Sequence, residues 1–382
     1  MKICHVLPSF ARGGGERLVI ELANREAAAG HEVTLVVGYR IPAERSHGGL
    51  SEAVRLRYVG DEEGLTGIAR YRPLPGWIWR ERDWLCSHDV LHCHLTYGAV
   101  FASLFQALGL LRSRRKPAVI ETYHAVGMPI PRIHRWFHAR MAARRDALSF
   151  MVEEPWWSRF LDRHPKVIGT VIPVGITAPD RGRMSPEDRA AYRSSLGIPH
   201  SSLVVGTIGR LMRERQSHRY IPIFARIAEK LGPDVHFYMG GDGPEQDRVQ
   251  AAILEQGLEG RVHLAGLVRQ LEPAFAITDL YITSNVGGVC GVAGMQAVAA
   301  GLPVIALQLL EEQPDPSGDW IWSSTKEEVV ARRAVELLGD PAQLRALADR
   351  QGRYLAEHHS AEAMMRAYER LYRQAIDARQ GR

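Results

Sequence analysis

The sequence has few cysteines, and none of them is placed to form a metal site. Its four cysteines include no C-x-x-C pair and no metal-ligand spacing. Isolated cysteines of this kind are typical of buried thiols in a reducing compartment. We therefore predict no metal site among the cysteines.

Long hydrophobic runs and targeting signals are also absent. The longest apolar stretch, residues 99–111, contains Gln106 and is too short to cross a bilayer. Residues 1–6 form a strand pattern without the basic start or the small-residue cleavage site of a signal peptide. These absences predict a cytoplasmic protein.

The charge balance is mild and contains no dense basic stripe. The chain has 382 residues and a formal net charge of +5, with 46% hydrophobic and 24% charged residues. This composition indicates a folded globular protein and excludes disorder. Because no basic stripe or nucleic-acid-binding module is present, we predict no nucleic-acid partner. The small positive excess suits acidic small molecules or an anionic membrane surface.

Alternating strand and helix patterns divide the chain into two series. An apolar run at residues 2–7 is followed by a glycine loop, a helical pattern at 16–29 and a second apolar run at 32–37. This order forms a βαβ unit, which is typical of parallel sheets. The pattern restarts with a strand at 203–208. We predict an α/β protein of two Rossmann-like domains whose parallel sheets face a central cleft. The predicted segments are domains at 1–175 and 176–360 and a C-terminal helix at 361–382.

A glycine motif follows the first predicted strand and opens the first predicted helix. In Gly13-Gly14-Gly15-Glu16, the glycines would let backbone N–H groups approach a phosphate or a sugar closely. The N-terminus of a helix also favours negative charge. The motif is not the dinucleotide fingerprint G-x-G-x-x-G. The structural alternative is a flexible turn in which Glu16 interacts favourably with the helix dipole.

A pair of arginines follows the first strand of the second series. Gly209 ends that strand, and Arg210 and Arg215 lie in the loop after it. Two guanidiniums at the mouth of a sheet would form a clamp for a diphosphate, because arginine presents forked donors and keeps its charge. Arg213 and Arg219 would add to the positive field. The alternative is a solvated charged loop.

A second glycine motif, residues 240–245, follows the next strand and precedes a helix. Gly241 lies at the carboxyl end of the strand, where open α/β sheets bind ligands. Helix capping offers an alternative explanation. Asp242 or Gly243 would cap the helix, and Pro244 would take its first position.

The motifs occur in an order that resembles a known family. From the N-terminus they are Gly-Gly-Gly-Glu at 13–16, Thr-Tyr-His at 122–124, Val-Ile-Pro-Val-Gly at 171–175, the arginine pair within 209–215, Gly-Asp-Gly-Pro-Glu at 241–245 and Ala-Ala-Gly-Leu-Pro-Val at 299–304. Their order and spacing resemble glycosyltransferase family 4, the retaining sugar-nucleotide transferases of the GT-B fold. The resemblance covers nearly the whole chain and is strongest over residues 171–306.

The resemblance implies roles for individual residues. Arg210 and Arg215 would neutralise the diphosphate leaving group, and His124 would lie near the transferred sugar. His94 is a candidate for the acceptor side of the same wall. The C-terminal helix would return to the N-terminal domain. The implied donor-binding residues are Gly14, Gly15, Gly209, Gly241, Gly288, Gly291 and Gln296.

The sequence departs from the family pattern at two positions. The family usually carries two glutamates, eight positions apart, where this chain has Gly288 and Gln296. No Asp or Glu occurs anywhere in residues 280–310, so a shift of register cannot restore the pair. Gln296 can still bond a ribose hydroxyl, and the glycines around Gly288 can cradle a phosphate through their backbone.

The resemblance implies a retaining hexosyltransferase, and the absence of a D-x-D sequence together with the two arginines predicts that it needs neither a metal ion nor a cofactor. Its donor would be a UDP-sugar or a GDP-sugar, and its acceptor a glycan or a lipid-linked hydroxyl in envelope polysaccharide, lipopolysaccharide or glycolipid synthesis. Two alternatives stay open. One is a non-catalytic GT-B protein that binds a partner transferase or a glycan, and the other is a nucleotide-sugar epimerase. The sequence does not specify the donor base, the sugar, the acceptor or the oligomeric state.

Two basic and aromatic stretches in the N-terminal half predict peripheral contact with the inner face of the cell membrane. Residues 72–84 place Trp77, Trp79 and Trp84 among arginines, and residues 132–145 form a basic helical pattern with aromatics. The alternative for the second stretch is an amphipathic helix that covers the sheet.

Overall fold

The computed structural model divides the chain into two compact units. One unit is Met1–Gly175 together with Ala361–Arg382, and the other is Ile176–Ser360. The structure describes residues 1–10, 13–42, 49–60, 68–108, 117–124, 139–152, 155–177, 184–286, 289–309 and 320–380. Each unit is a Rossmann-like domain with a largely parallel sheet, as the sequence predicts.

The first unit contains a sheet of seven parallel strands in the order β3-β2-β1-β4-β5-β6-β7. Its central strands are almost fully buried, as expected for a parallel sheet covered on both faces. The strand order reverses between β1 and β4, so a ligand crevice is expected at the carboxyl ends of these two strands. The strands are β1 Lys2–Leu7, β2 Glu32–Val37, β3 Arg55–Tyr58, β4 Val90–His94, β5 Ala118–Tyr123, β6 Ala147–Phe150 and β7 Ile168–Val171.

Helices cover both faces of this sheet. The C-terminal helix belongs to the first unit, where its buried stripe packs on the core formed by Ile3, Val90 and Ile120. That stripe consists of Met364, Tyr368, Leu371 and Tyr372, which the helical spacing of the sequence predicts. The helices are α1 Gly14–Ala28, α2 Leu74–Cys86, α3 Leu95–Leu108, α4 Pro155–Arg163 and, at the end of the chain, Ala361–Gln380, with a 3₁₀ turn at Ala69–Tyr71.

The second unit contains parallel strands in the order β10-β9-β8-β11-β13-β14, with the short β12 antiparallel to β11. Its order reverses between β8 and β11, which places the expected crevice at the carboxyl ends of that pair. The strands are β8 Leu203–Ile208, β9 Val235–Gly240, β10 Val262–Gly266, β11 Leu280–Val286, β12 Val289–Cys290, β13 Val304–Gln308 and β14 Ser323–Ser324. The helices are α5 Pro186–Ser195, α6 Tyr220–Leu231, α7 Gln246–Glu255, α8 Leu271–Ala276, α9 Val292–Ala299, α10 Glu327–Leu338 and α11 Pro341–His358, with 3₁₀ turns at Arg213–Arg215 and Ser217–Arg219.

Within the residues that the structure describes, no helix combines the length and the hydrophobicity that a membrane span requires.

Candidate functional site

The first glycine motif lies at the crevice end of the first sheet. β1 ends at Leu7, and α1 begins at Gly14 with Gly13 as its N-cap. A Cβ on Gly13 would lie 2.1 Å from Oε2 of Glu16, so the Glu16 side chain folds back over the helix N-terminus. Its carboxylate therefore takes the favourable position beside the helix dipole, as the structural alternative predicts. Gly14 itself is exposed.

His124 lies against the same helix N-terminus. It follows β5 directly, and its Nδ1 is 3.6 Å from the position that a Cβ on Gly15 would occupy. This Nδ1 is buried and has no hydrogen-bond partner within the described residues. Leu95, whose Cδ2 lies 3.3 Å from the same Cβ position, has a φ of +60°, a strained conformation for leucine. The structure thus brings Gly15 and His124 together beside a strained residue.

Three buried histidines lie beyond His124 and form a hydrogen-bonded cluster. Nδ1 of His94 is 3.0 Å from Nε2 of His124, and Nε2 of His94 is 3.0 Å from Nδ1 of His5. His5, His92 and His94 are close enough together to hold a metal ion. All six of their ring nitrogens nevertheless have hydrogen-bond partners, which are one another, His124, Glu26, Tyr372 and Thr122. We therefore interpret the cluster as a hydrogen-bond network and not as a metal site.

Burial keeps His92, His94 and His124 neutral. Desolvation lowers the pKa of His124 to about 4. The pKa values of His92 and His94 also lie well below the ordinary range, first because of burial and second because of the neighbouring imidazoles. A neutral imidazole donates through one nitrogen and accepts through the other. This crevice therefore offers directional hydrogen bonds rather than positive charge.

Acidification is expected to destabilise the protein between about pH 6.5 and about pH 4. In this window the unfolded chain binds protons on histidines that the folded chain keeps neutral, so the free energy of unfolding falls as the pH falls. For His124 alone, the lowered pKa corresponds to a loss of about 2 kcal/mol between about pH 7.5 and about pH 5. Urea unfolding of the wild type and of His124→Asn at the two pH values would measure the difference. An equal pH dependence of both proteins would contradict the prediction.

The loop after β8 presents the two predicted arginines to solvent. Arg210 and Arg215 are both exposed, and the structure gives neither an ion pair within the described residues. Arg219 differs, because its Nε donates to Oε1 of Glu327 at 2.6 Å. Arg219 therefore anchors the loop to α10, and the prediction that it adds to a free positive field is wrong. Exposure alone is equally consistent with a solvated charged loop and with a diphosphate clamp. The groups that lie next to the two arginines distinguish these interpretations.

Arg215 lies against the N-terminus of α9. Its Nη1 is 3.8 Å from the position that a Cβ on Gly291 would occupy, and Gly291 is the N-cap of that helix. The residue after Arg215, Gln216, has a φ of +48°, the left-handed conformation, which turns the chain at this point. A guanidinium and the positive end of a helix dipole thus lie side by side where the strand order of the second sheet reverses. This arrangement is suited to a phosphate.

Gly241 and Gly243 serve the packing of two loops. A Cβ on Gly241 would lie 1.9 Å from the carbonyl oxygen of Gly209, and one on Gly243 would lie 2.4 Å from that of Leu211. Both glycines also have positive φ values. The helix after this loop, α7, begins only at Gln246, with Glu245 as its N-cap. The prediction that Asp242 or Gly243 caps the helix and that Pro244 takes its first position is therefore wrong. The helix begins later than predicted because the backbone N–H of Glu245 donates to the carbonyl of Leu211 in the neighbouring loop.

The remaining donor-side residues differ in their placement. Gln296 is buried on α9, and Gly288 lies outside the described residues. Asn285, at the end of β11, is a polar residue that the sequence interpretation missed. It is 1% exposed, and within the described part of the chain neither polar atom of its side-chain amide has a hydrogen-bond partner. Its signal in the sequence is a polar residue at the carboxyl end of a buried strand.

The aromatic stretch of the first unit belongs largely to the core. Trp77 is buried and Trp84 packs against the same cluster, whereas Trp79 is 48% exposed. The stretch at 132–145 is described only from residue 139 onward, and its last arginine, Arg145, is buried. Core packing therefore explains two of the three tryptophans without a membrane.

Two family models match the chain. The model described as Glycosyltransferase Family 4 matches residues 12–164, and the model described as Glycosyl transferases group 1 matches residues 202–340. The chain is 27% identical to the 2-deoxystreptamine glucosyltransferase of Streptomyces kanamyceticus over 50% of this chain and 52% of that protein. It is 28% identical to the lipopolysaccharide core biosynthesis glycosyltransferase LpsE of Rhizobium meliloti over 48% and 53%. The chain thus spans about half the length of the curated relatives it matches.

A solved structure extends the likeness over nearly the whole fold. The structure of HepE from Anabaena, in complex with UDP and glucose, has a TM-score of 0.75 at 16% identity and covers 97% of this chain and 99% of that one. Two Rossmann-like domains with these family matches define the class. The chain has the GT-B fold, with a family 4 glycosyltransferase model matching residues 12–164 and a group 1 glycosyltransferase model matching residues 202–340.

Proposed function

We propose that the chain is a retaining glycosyltransferase that moves a hexosyl group from a nucleoside-diphosphate sugar to an acceptor hydroxyl. One observation carries the proposal. The exposed guanidinium of Arg215 lies beside the N-terminus of α9, at the carboxyl edge of the second sheet. Both features attract the two phosphates of a leaving diphosphate. The unpartnered amide of Asn285 adds a donor and an acceptor at the end of the adjoining strand.

The reaction follows from the groups at this edge. The negative charge that develops on the departing diphosphate would be stabilised by Arg210 and Arg215. Residues 280–310 contain no carboxylate that could act as a nucleophile on the sugar. Retention would then proceed by attack on the same face, with the departing phosphate taking the proton of the acceptor hydroxyl. The arginines supply the cationic charge, so we propose that transfer needs no metal ion and no cofactor.

The first unit would hold the acceptor. His124 offers a neutral ring nitrogen to a sugar hydroxyl, and the N-terminus of α1 offers backbone N–H groups. The relatives' names support a glycan or lipid-linked acceptor, as in lipopolysaccharide or glycolipid synthesis. The UDP in the HepE structure supports a UDP-sugar over a GDP-sugar. A cytoplasmic location with peripheral contact at the membrane remains a prediction.

A non-catalytic role is favoured by one observation. The family's two glutamates are replaced by Gly288 and Gln296, which removes both carboxylates from the donor side. Such a chain would bind a nucleotide and a partner transferase or a glycan without turnover. A nucleotide-sugar epimerase, the other alternative, would form an isomer without an acceptor.

Release of nucleoside diphosphate and the fate of the sugar separate these functions. The purified protein would be incubated with UDP-sugars and GDP-sugars, with and without lipid-linked and glycan acceptors, in the presence of a chelator. We expect release of one nucleotide that depends on the acceptor, and a product whose anomeric configuration by NMR equals that of the donor. Inversion would contradict retention, and an isomerised donor would establish the epimerase. Tight binding without any release would establish the non-catalytic role.

A further inference from the structure

In the first unit, a continuous chain of hydrogen bonds, which we call the file, runs from the core to His124. Its four side chains are those of Glu26, His5, His94 and His124. Oε2 of Glu26 on α1 is 2.6 Å from Nε2 of His5 on β1. Nδ1 of His5 is 3.0 Å from Nε2 of His94 on β4, and Nδ1 of His94 is 3.0 Å from Nε2 of His124 after β5. Glu26, His5 and His94 are at most 1% exposed. Each histidine therefore uses both ring nitrogens within the file, except His124, whose Nδ1 is left over.

A carboxylate at one end of such a file sets the direction of every hydrogen bond in it. Both oxygens of Glu26 accept: Oε2 from His5, and Oε1 from the hydroxyl of Tyr372 at 3.0 Å. With His5 as a neutral imidazole, Nε2 carries the proton toward Glu26, and Nδ1 of His5 is an acceptor for Nε2–H of His94. The same rule makes Nδ1 of His94 an acceptor for Nε2–H of His124. Nδ1 of His124 is left with a lone pair.

A second branch of bonds reaches Glu26 in the same direction. Because the hydroxyl of Tyr372 donates to Glu26, its oxygen accepts from Nδ1 of His92 at 2.8 Å. Nε2 of His92 then accepts from the hydroxyl of Thr122 at 2.6 Å. Both branches therefore end on the carboxylate of Glu26. A neutral acid at this position would have to reverse one of them.

We propose that Glu26, His5 and His94 are positioning residues that hold His124 as the Nε2–H tautomer, with Nδ1 available only as a hydrogen-bond acceptor. The ligand group received at Nδ1 is then a hydrogen-bond donor. The identity of that donor as a hydroxyl of the transferred sugar rests on the proposed function, whereas the tautomer does not. A ligand that offers only an acceptor at this point would meet a lone pair and bind poorly.

The tautomer can be read directly from the free protein. In protein labelled with ¹⁵N-histidine, long-range ¹⁵N–¹H correlation spectra distinguish Nδ1–H from Nε2–H rings, and the His124 signals are assigned by their loss in His124→Asn. We expect Nε2–H for His124 near neutral pH. In Glu26→Gln, the amide N–H₂ faces either His5, which reverses the file and makes His124 Nδ1–H, or Tyr372, which reverses the second branch and makes His92 Nε2–H. Tyr372→Phe leaves the file intact and should keep Nε2–H.

Kinetics then test the consequence for the ligand. If the spectra show His124 as Nδ1–H in Glu26→Gln, we expect this variant to raise KM for the sugar donor by about 10-fold or more, because Nδ1–H can no longer accept from a hydroxyl. Binding of the free nucleoside diphosphate should not change. An Nδ1–H tautomer of His124 in the wild type, or unchanged tautomers of both His124 and His92 in Glu26→Gln, would overturn the proposal even if transfer is observed. A protein with the expected tautomers but without transfer would leave this inference intact and refute the proposed function instead.

Discussion

Replacing Arg215 with alanine is expected to lower kcat/KM for sugar transfer by about 10²- to 10³-fold. The Arg215 guanidinium is exposed, has no ion pair within the described residues and lies beside the N-terminus of α9. Its charge is therefore available to a leaving diphosphate, and the effect should fall on the transition state, where that charge develops. Steady-state kinetics with the matched donor would measure the loss.

Arg213→Ala is the matched control for this experiment. Arg213 is on the same 3₁₀ turn as Arg215 and is equally exposed. Removing it changes the net charge by the same amount, so it reports the general electrostatic effect alone. We expect a loss of no more than a few-fold. Equal losses for Arg213→Ala and Arg215→Ala would show that the position beside Gly291 has no special role.

Glu121→Ala is expected to destabilise the protein by about 3–5 kcal/mol. Glu121 is 2% exposed and accepts from Nε of Arg145 at 2.9 Å, while Nη2 of Arg145 donates to the carbonyl of Ala99 at 2.9 Å and to Ser103 Oγ at 2.8 Å. Removing the carboxylate leaves a buried guanidinium without its counter-ion, and the cost of that unpaired charge dominates. Urea unfolding would measure it.

An exposed ion pair provides the comparison. Arg55 pairs with Glu32 at 2.8 Å, but their side chains are 71% and 41% exposed. Water screens such a pair, so Arg55→Ala should cost less than about 1 kcal/mol. If Glu121→Ala cost no more than Arg55→Ala, the buried pair would not be the structural element we infer.

The regular elements follow from local patterns in the sequence. Nearly continuous apolar runs such as 2–7 and 203–208 predict buried parallel strands, and both are observed as β1 and β8. The helical spacing of Tyr368, Leu371 and Tyr372 predicts the buried face of the last helix, because that spacing needs no knowledge of distant residues. The two Rossmann-like domains follow from the order of these elements, and the GT-B fold that the family resemblance implies is confirmed.

The pairings between distant residues could not be predicted in the same way. The file that ends at His124 depends on the register of β1 and β4, in which His5 lies opposite His92, and on Glu26 from α1. The sequence does indicate that His92 and His94 lie on the same face of a buried strand, because they are two positions apart. The pairing of Arg219 with Glu327 joins residues 108 positions apart and carries no local signal.

The measurement that tests the central claim most directly is thermal unfolding in the presence of UDP, GDP, ADP and CDP. A nucleotide at roughly a hundredfold excess over its dissociation constant should stabilise the protein by about 2.7 kcal/mol. We predict stabilisation by one nucleotide, and its loss in both Arg210→Ala and Arg215→Ala. No stabilisation by any of the nucleotides, or stabilisation that both variants retain, would contradict the assignment of a diphosphate site to the second unit.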